Sequence, residues 1–366
     1  MHIFNYIIWT FDPAIFTIPF TDYAPRWYGV LFALGFILSQ QLLFWVFEKE
    51  GRPKKDVETL TTYMVIATIL GARLGHCLFY NPAYYLSNPL KILMIWEGGL
   101  ASHGGALGIL LAIYLFCKKY NYRYLWILDR LVIVVALTGA MIRTGNLFNS
   151  EMEGTLTNSN TGLVYARAAY DVLNYDEEKI DDISIFKGGE MTSEVPGIVP
   201  ITARIVYKRG VTLTVEDKRF LENQLKGTLD RYSEVREHVD FGSGSLTYKT
   251  YKKDGQEVVE IYALGKVRHA AQLYEAAYCI LLMLVLLWLW HAKKDSLPQG
   301  FNFALFMIVL WSLRFVDEFF KMNQEAFEEN MTLNMGQILS IPLTIAGIIL
   351  MVWVYTKDKK MSDFGK

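Results

Sequence analysis

The stretch GAMIRTGNLFNSEMEG, residues 139–154, decides how the chain is read, because its apolar lead-in carries Arg143 to a depth where a membrane helix ordinarily holds only hydrocarbon. An arginine at a helix centre costs roughly 2.5 to 3.5 kcal/mol on insertion scales, so such residues face a bundle interior or a polar cavity and serve a purpose there. The residues after it are equally unlike a span: Asn146, Asn149 and Glu151, with Gly145 and Gly154, make a polar patch where the helix should surface. That is the depth of a lipid head group.

Beyond this stretch, the 366 residues are 52% hydrophobic and 14% aromatic, totals that would also suit a large soluble protein. Their distribution excludes that reading. Seven apolar runs, at 27–47, 60–80, 99–117, 124–148, 270–291, 301–320 and 335–355, each come near the ~20 residues that cross a bilayer. One polar block separates the fourth run from the fifth. The expected fold is an all-α polytopic membrane protein of seven transmembrane helices, with a small α+β head domain inserted between helices 4 and 5. The expected domain limits are 1–148, 149–268 and 269–366.

The formal net charge of -1 gives no sign of nucleic-acid binding, but the basic residues cluster in alternate loops. Lys49, Arg52, Lys54 and Lys55 follow the first run, Lys118, Lys119 and Arg123 the third, Lys293 and Lys294 the fifth, and Lys357, Lys359 and Lys360 the seventh. By the positive-inside rule these ends are cytoplasmic, which places the N-terminus, the 81–98 loop, the polar block and the 322–334 loop outside. The first residues, with Asp12 and Pro13 and no basic leader, do not read as a cleaved signal peptide. The three cysteines, Cys77, Cys117 and Cys279, all fall in or beside apolar runs, so they read as small packing residues and not as a disulfide framework or a metal site. No cofactor or metal is expected.

Other polar residues also sit at membrane depth. The aromatic-rich residues 4–20 are broken by Pro13 and Pro19 and read as a half-buried interfacial segment. Tyr28, in Arg26-Trp27-Tyr28-Gly29, reads equally as an interfacial anchor or as a substrate contact. Arg73, in Gly71-Ala72-Arg73-Leu74-Gly75-His76, either snorkels to the outer surface or lines a polar cavity, while Gly71 and Gly75 let a neighbouring helix approach. His103 stands among glycines in WEGGLASHGGALG (residues 96–108). That pattern implies a close backbone approach or free N–H groups, with the imidazole as a base or a donor.

In the polar block, the runs 201–207 and 211–215 flank Lys208-Arg209-Gly210, and 245–251 and 257–263 flank Asp254-Gly255, so two hairpins are expected, with a helix over 216–226 between them. Gln272, Tyr274 and Glu275 at the start of the fifth span read as caps as readily as substrate contacts. Arg314, Glu318 and Lys321, at spacings of four and seven, would share one helical face, as an internal salt bridge or as a site.

These polar residues gather toward the outer leaflet, and no internal repeat of the kind found in transporters is visible. Two or three guanidinium groups with glycine-rich backbone suggest recognition of a lipid phosphate, a task that suits arginine's bidentate fork. In order along the chain, RWYG (26–29), GARLGH (71–76), HGGALG (103–108), RTGNLFNSEMEG (143–154), RHAAQLYEA (268–276), RFVDEFFK (314–321) and MGQILSIP (335–342) resemble the motifs of the prolipoprotein diacylglyceryl transferase family. The resemblance implies transfer of the diacylglyceryl group of phosphatidylglycerol to the thiol of the lipobox cysteine in a prolipoprotein signal peptide. It also implies release of glycerol phosphate at the outer face of a bacterial inner membrane.

On this resemblance His103, Arg143 and Arg314 are the expected catalytic residues, with Asn146, Glu151, Gly154, Glu318 and Tyr28 in substrate binding. Arg73 and Asn149 join the substrate-binding set from the reading of the residues. The chain departs from the family at Lys321, where an arginine is usual, at Ala270 and Ala271 in place of a proline and a small hydroxyl residue, and at Leu310, where a tyrosine often stands. The polar block is longer than the family's usual head. The alternative is a lipid or solute transporter, or a non-catalytic lipid-binding membrane protein.

Overall fold

A backbone that leaves water must satisfy its N–H and C=O groups internally, so the long apolar runs become helices. The computed structural model describes residues 5–21, 24–80, 82–94, 99, 101–293, 296–323, 328 and 331–363, with backbone alone at 5, 102 and 358–363. Of the residues that carry the sequence reading, Phe4, Asn81, Trp96, Glu97, Gly98, Leu100 and Lys294 lie outside the described residues, as do the side chains of Lys359 and Lys360.

The helices are α1 (Trp27–Lys49), α2 (Lys54–Phe79), α3 (Pro82–Ser87), α4 (Ser102–Tyr120), α5 (Tyr124–Phe148), α6 (Arg167–Leu173), α7 (Val215–Phe220), α8 (Lys226–Arg231), α9 (Ser233–His238), α10 (Ala271–Lys293), α11 (Phe301–Asp317) and α12 (Met335–Asp363). The strands are β1 (Asn5–Trp9), β2 (Thr161–Tyr165), β3 (Ile180–Lys187), β4 (Ile198–Tyr207), β5 (Val239–Asp240), β6 (Tyr248–Lys253) and β7 (Gln256–Lys266). Five helices, α1, α2, α5, α10 and α12, are long and apolar enough to cross a membrane. The other two expected spans fall short of that standard. α11 has only 17 residues, and in α4 His103, the glycines beside it and the closing Lys118 and Lys119 dilute the hydropathy.

The chain divides into two compact units, residues 1–30, 143–275 and 316–334 in the first and 31–142, 276–315 and 335–366 in the second. The first unit carries every strand among the described residues. Its main sheet runs β3-β4-β7-β5, with β6 also on β7, and all these pairs are antiparallel. β6 and β7 form the hairpin expected around Asp254 and Gly255, whose φ angles of 54° and 80° suit a tight turn with left-handed central residues. The other expected hairpin does not form. Residues 211–214 make no strand, because Thr214 and Asp217 build a capping box that starts α7 at Val215. The helix expected over 216–226 is there but runs on, as α7, a π turn and α8, to Arg231. β4 pairs instead with β7 and with β3, a strand that no hairpin signal marks in the sequence.

The reading of residues 4–20 as one interfacial segment is corrected at its start alone. Asn5–Trp9 is a strand, paired in parallel with β2, and Tyr6 is fully buried with its hydroxyl donating to the Pro200 carbonyl at 2.7 Å. Parallel pairing joins segments more than 150 positions apart, which local periodicity does not report. Phe11 seals the join, with its ring 4.6 Å from that of Phe148 and 6.1 Å from that of Trp27.

In the second unit, Leu43, Phe47, Phe116, Ile127, Leu131 and Leu286 form the buried core. Ile37, Leu70, Leu111, Leu281 and Ile349 are each more than half exposed, an outward apolar surface proper to helices immersed in lipid. The cysteines are buried helix residues. The glycines at 104 and 108 have a clear cause. A Cβ on Gly104 would collide with the Gly71 carbonyl and lie 2.8 Å from the Gly75 Cα, and one on Gly108 would collide with the Ala67 carbonyl. Here α2 and α4 meet backbone to backbone, the small-residue packing that membrane helices use.

Because the colliding atoms are backbone, they cannot turn aside. Gly104→Ala should force α2 and α4 apart and lower stability by about 1 to 3 kcal/mol, read as a fall in melting temperature in detergent against Gly29→Ala, whose Cβ meets nothing within 4 Å.

Candidate active site

The first unit collects the signature residues around the end of α5. After Phe148 the chain turns sharply, with Ser150 and Met152 in the left-handed region at φ 52° and 59°, and the Glu151 N–H returns to the Asn146 carbonyl at 2.9 Å. That turn folds a linear motif into a cluster. Arg143 Nε lies 2.8 Å from Glu275 Oε2, with both side chains largely buried. Arg143 Nη1 donates to Asn146 Oδ1 at 3.2 Å, Asn146 Nδ2 donates to Glu151 Oε2 at 3.3 Å, and Asn149 Nδ2 donates to Glu151 Oε1 at 3.1 Å.

α10 holds this network from the other side. Gln272, 1% exposed, donates to the Glu151 carbonyl at 2.7 Å and accepts from the Tyr165 hydroxyl of β2 at 2.9 Å. Gln272 and Glu275, whose places in the sequence suit caps and contacts alike, therefore position the signature. The ion pair fixes the guanidinium on its Nε side and Asn146 on Nη1, while Nη2 makes no bond among the described residues. One edge of the Arg143 fork is left for an acceptor.

Gly154 allows a close approach, but of protein backbone: its N–H donates to the His269 carbonyl at 3.1 Å, and a Cβ would collide with that carbonyl. Tyr28 packs on α5 at Gly145, where an added Cβ would sit 3.0 Å from its ring. Glu318 accepts from buried Lys321 at 3.3 Å and from Asn334 at 3.1 Å. The helical face expected for Arg314, Glu318 and Lys321 is corrected, since α11 ends at Asp317 and Lys321 bridges Gly154 as extended chain. The Glu318–Lys321 pair is made by a turn.

Arg73, His103 and Arg314 belong to the second unit. Arg73 is 2% exposed and spends its guanidinium on the carbonyls of Ile92 at 3.0 Å, Lys91 at 2.5 Å and Gly99 at 3.4 Å, with the Tyr85 ring 5.2 Å away. It therefore ties down the segment after α3 and does not snorkel to the surface. His103 is exposed in the first turn of α4. Arg314 lies on α11, 5.9 Å from the Trp311 ring.

One constellation has no signal in the sequence. His238 Nε2 lies 2.5 Å from Glu153 Oε2, its Nδ1 lies 2.6 Å from the Glu234 carbonyl, and Arg268 donates to the carbonyls of Gly154 at 3.2 Å and Glu237 at 3.0 Å. These bonds fasten the end of the signature to α9. No local spacing marks a partner 85 residues away. Beside them, a cavity of about 580 Å³ is bordered by Asn149, Glu151, Glu153, Arg167 and His238.

A profile of the family described as prolipoprotein diacylglyceryl transferase matches residues 13–353. The chain belongs to this family. Among relatives named phosphatidylglycerol–prolipoprotein diacylglyceryl transferase, that of Tolumonas auensis is 34% identical over 94% of this chain and 96% of its own length. Those of Porphyromonas gingivalis and Chloroherpeton thalassium are 32% and 30% identical, covering 95% and 94% of this chain and 94% and 93% of their own lengths. Membership of the transferase family thus takes in most of the polar block as well as the long helices.

The packing of the site sets two expected outcomes. Glu275→Ala would leave a half-buried guanidinium without its carboxylate, and the expected loss is about 1 to 3 kcal/mol of stability, measured by thermal unfolding, with Glu275→Gln losing less. His269 is held below its ordinary value by burial beside Phe320, whose ring is 5.0 Å away. A histidine depressed in the folded state contributes stability above its unfolded value and loses it as pH falls. Between about pH 7.5 and pH 5.5, spanning the unfolded value near 6.5, the melting temperature of the wild type should therefore drop further than that of His269→Asn.

Proposed function

We propose that this protein transfers the sn-1,2-diacylglyceryl group of phosphatidylglycerol to the thiol of the lipobox cysteine in prolipoprotein signal peptides, the first step of bacterial lipoprotein maturation. The observation that carries the reading is Arg143, half-buried near the end of α5, oriented by Glu275 and Asn146 and open at Nη2. Family membership supports the reaction, since the relatives are named for both substrates.

In the proposed topology all seven long helices span a bacterial inner membrane, with the N-terminus and the 149–268 head on the periplasmic side and the C-terminus in the cytoplasm. Residues 1–148 and 269–366 form the two membrane domains. The alternating basic loops support this orientation. The site faces the periplasmic leaflet, where phosphatidylglycerol supplies the donor.

In the reaction the thiol sulfur forms a bond to the glycerol carbon that carries the phosphate, the bond from that carbon to the phosphate oxygen breaks, and glycerol phosphate leaves. The thiol loses its proton. A thiol of pKa about 8.5 is already slightly ionised at neutral pH, so a base adds only a modest factor. Charge gathers on the departing phosphate, and guanidinium donors held in place beforehand stabilise it. Arg143 supplies one such fork. Asn146, Asn149 and Glu151 are placed to bind the glycerol hydroxyls. Arg314 as a second phosphate ligand, His103 as base or orienting donor, and Tyr28, Arg73, Gly154 and Glu318 as substrate-binding residues enter through the motifs that carry them. Gly154, whose N–H already serves protein backbone, would act by holding the chain beside it in place.

The test is mass spectrometry of a synthetic lipobox peptide incubated with purified protein and phosphatidylglycerol. A diacylglyceryl mass gain is expected, and Arg143→Lys and Arg314→Lys should each slow it by about 10²-fold, because an ammonium cannot form the bidentate contact. Near-normal transfer in both variants would sink guanidinium recognition. No mass gain from wild-type protein would favour a transporter or a lipid-binding protein.

A further inference from the structure

The second unit contains a cavity of about 1110 Å³ for which diacylglyceryl transfer provides no role. It is bounded by the C-terminal ends of α1, α10 and α12 and by the N-terminal ends of α5 and α11. Phe301 lines it, while Arg314 stands thirteen residues further along α11, about 20 Å away at the rise of an α-helix. The cavity and the family's arginine thus occupy opposite ends of one helix.

Its acidic groups are already engaged. Glu50 takes both nitrogens of a bidentate Arg130, at 2.8 and 2.9 Å from Nη2 and 3.0 Å from Nε, and also accepts from the Trp290 indole. Asp129 accepts the N–H groups of Gly300 at 2.7 Å and Phe303 at 2.9 Å, anchoring the start of α11. The basic groups are not so engaged: Lys49, Arg123 and Lys357 also line the cavity, and none of them forms an ion pair among the described residues. With Arg130, the lining sets four cations against the two carboxylates, a net charge of +2, and Lys357 Nζ lies 4.8 Å from the Trp353 ring. Asn302, 6% exposed, also borders it, its side-chain amide donating to the Leu286 carbonyl at 3.4 Å. Trp126 and Trp353 supply apolar, amphipathic walls of the kind found at head-group depth.

We infer that this cavity binds the head group of an anionic phospholipid, its phosphate against Lys49, Arg123 and Lys357. The volume and the tryptophans suit a lipid better than a bare anion. Val352 and Trp288, each more than half exposed on α12 and α10, give its acyl chains an apolar surface to follow. The leaflet assigned, the cytoplasmic one, rests on the proposed topology. Bound there, the lipid would brace the five helix ends.

The probe is phosphatidylglycerol carrying a photoactivatable group near its head, in phosphatidylcholine vesicles holding the full-length protein, with adducts mapped by mass spectrometry. Adducts are expected on peptides that contain Trp126, Trp290 and Trp353. Their yield should fall roughly fivefold for each cation removed in Lys49→Gln, Arg123→Gln and Lys357→Gln, as expected for basic residues at a lipid surface. Transfer to a lipobox peptide, read in the same samples, should stay within about twofold of wild type, since none of the three belongs to the transfer site. Unchanged labelling in the triple variant would overturn the inference. So would displacement of the probe by inorganic phosphate as readily as by unlabelled phosphatidylglycerol, which would mark a simple anion site. If the triple variant loses transfer as well, Arg123→Gln alone, in a turn between helices, decides the matter by the same two readouts. Cation-dependent labelling without any transfer by wild-type protein would leave this site standing and remove the proposed reaction.

Discussion

A guanidinium at the end of an apolar helix cannot be left alone, and the first unit is built around that demand. Arg143 needs a carboxylate, and Glu275 supplies it from α10 at 2.8 Å. Glu275 in turn must be brought to α5, which Gln272 does by gripping the Glu151 carbonyl and the Tyr165 hydroxyl. The left-handed turn at Ser150 and Met152 folds Glu151 back on Asn146. Each bond satisfies a buried polar group, and together they hold one edge of the guanidinium open. Breaking such a pair costs far more than the pair contributes, so the arrangement is a weak source of stability.

The same chemistry has a different outcome at Arg73. Its guanidinium is buried more deeply than that of Arg143, and it is consumed by backbone carbonyls at Lys91, Ile92 and Gly99. The two arginines look alike along the chain, both near glycine at membrane depth. What separates them is whether the neighbouring backbone turns its carbonyls toward the fork.

The glycines divide in a similar way. Those of the His103 motif could have admitted a ligand, but Gly104 and Gly108 face Gly71 and Ala67 across the seam between α2 and α4. Gly154, in the signature, makes room for the His269 carbonyl. Close approach is legible in the sequence at all three positions, whereas the identity of the approaching group is not. A missing Cβ states that space is needed and is silent about what fills it.

Membrane class, five of the seven expected spans and the presence of a polar block were legible in the chain alone, because hydropathy over about twenty residues is a local property that no partner can hide. The β6–β7 hairpin was legible for the same reason, its turn residues being adjacent. The partners were not. Glu275 for Arg143, β1 beside β2, His238 on Glu153 and Lys321 on Glu318 after α11 has ended are contacts between segments, or breaks in regular spacing, that periodicity cannot encode. Which arginine stays open and which is used up depends on the surrounding backbone, and tertiary structure alone decided it.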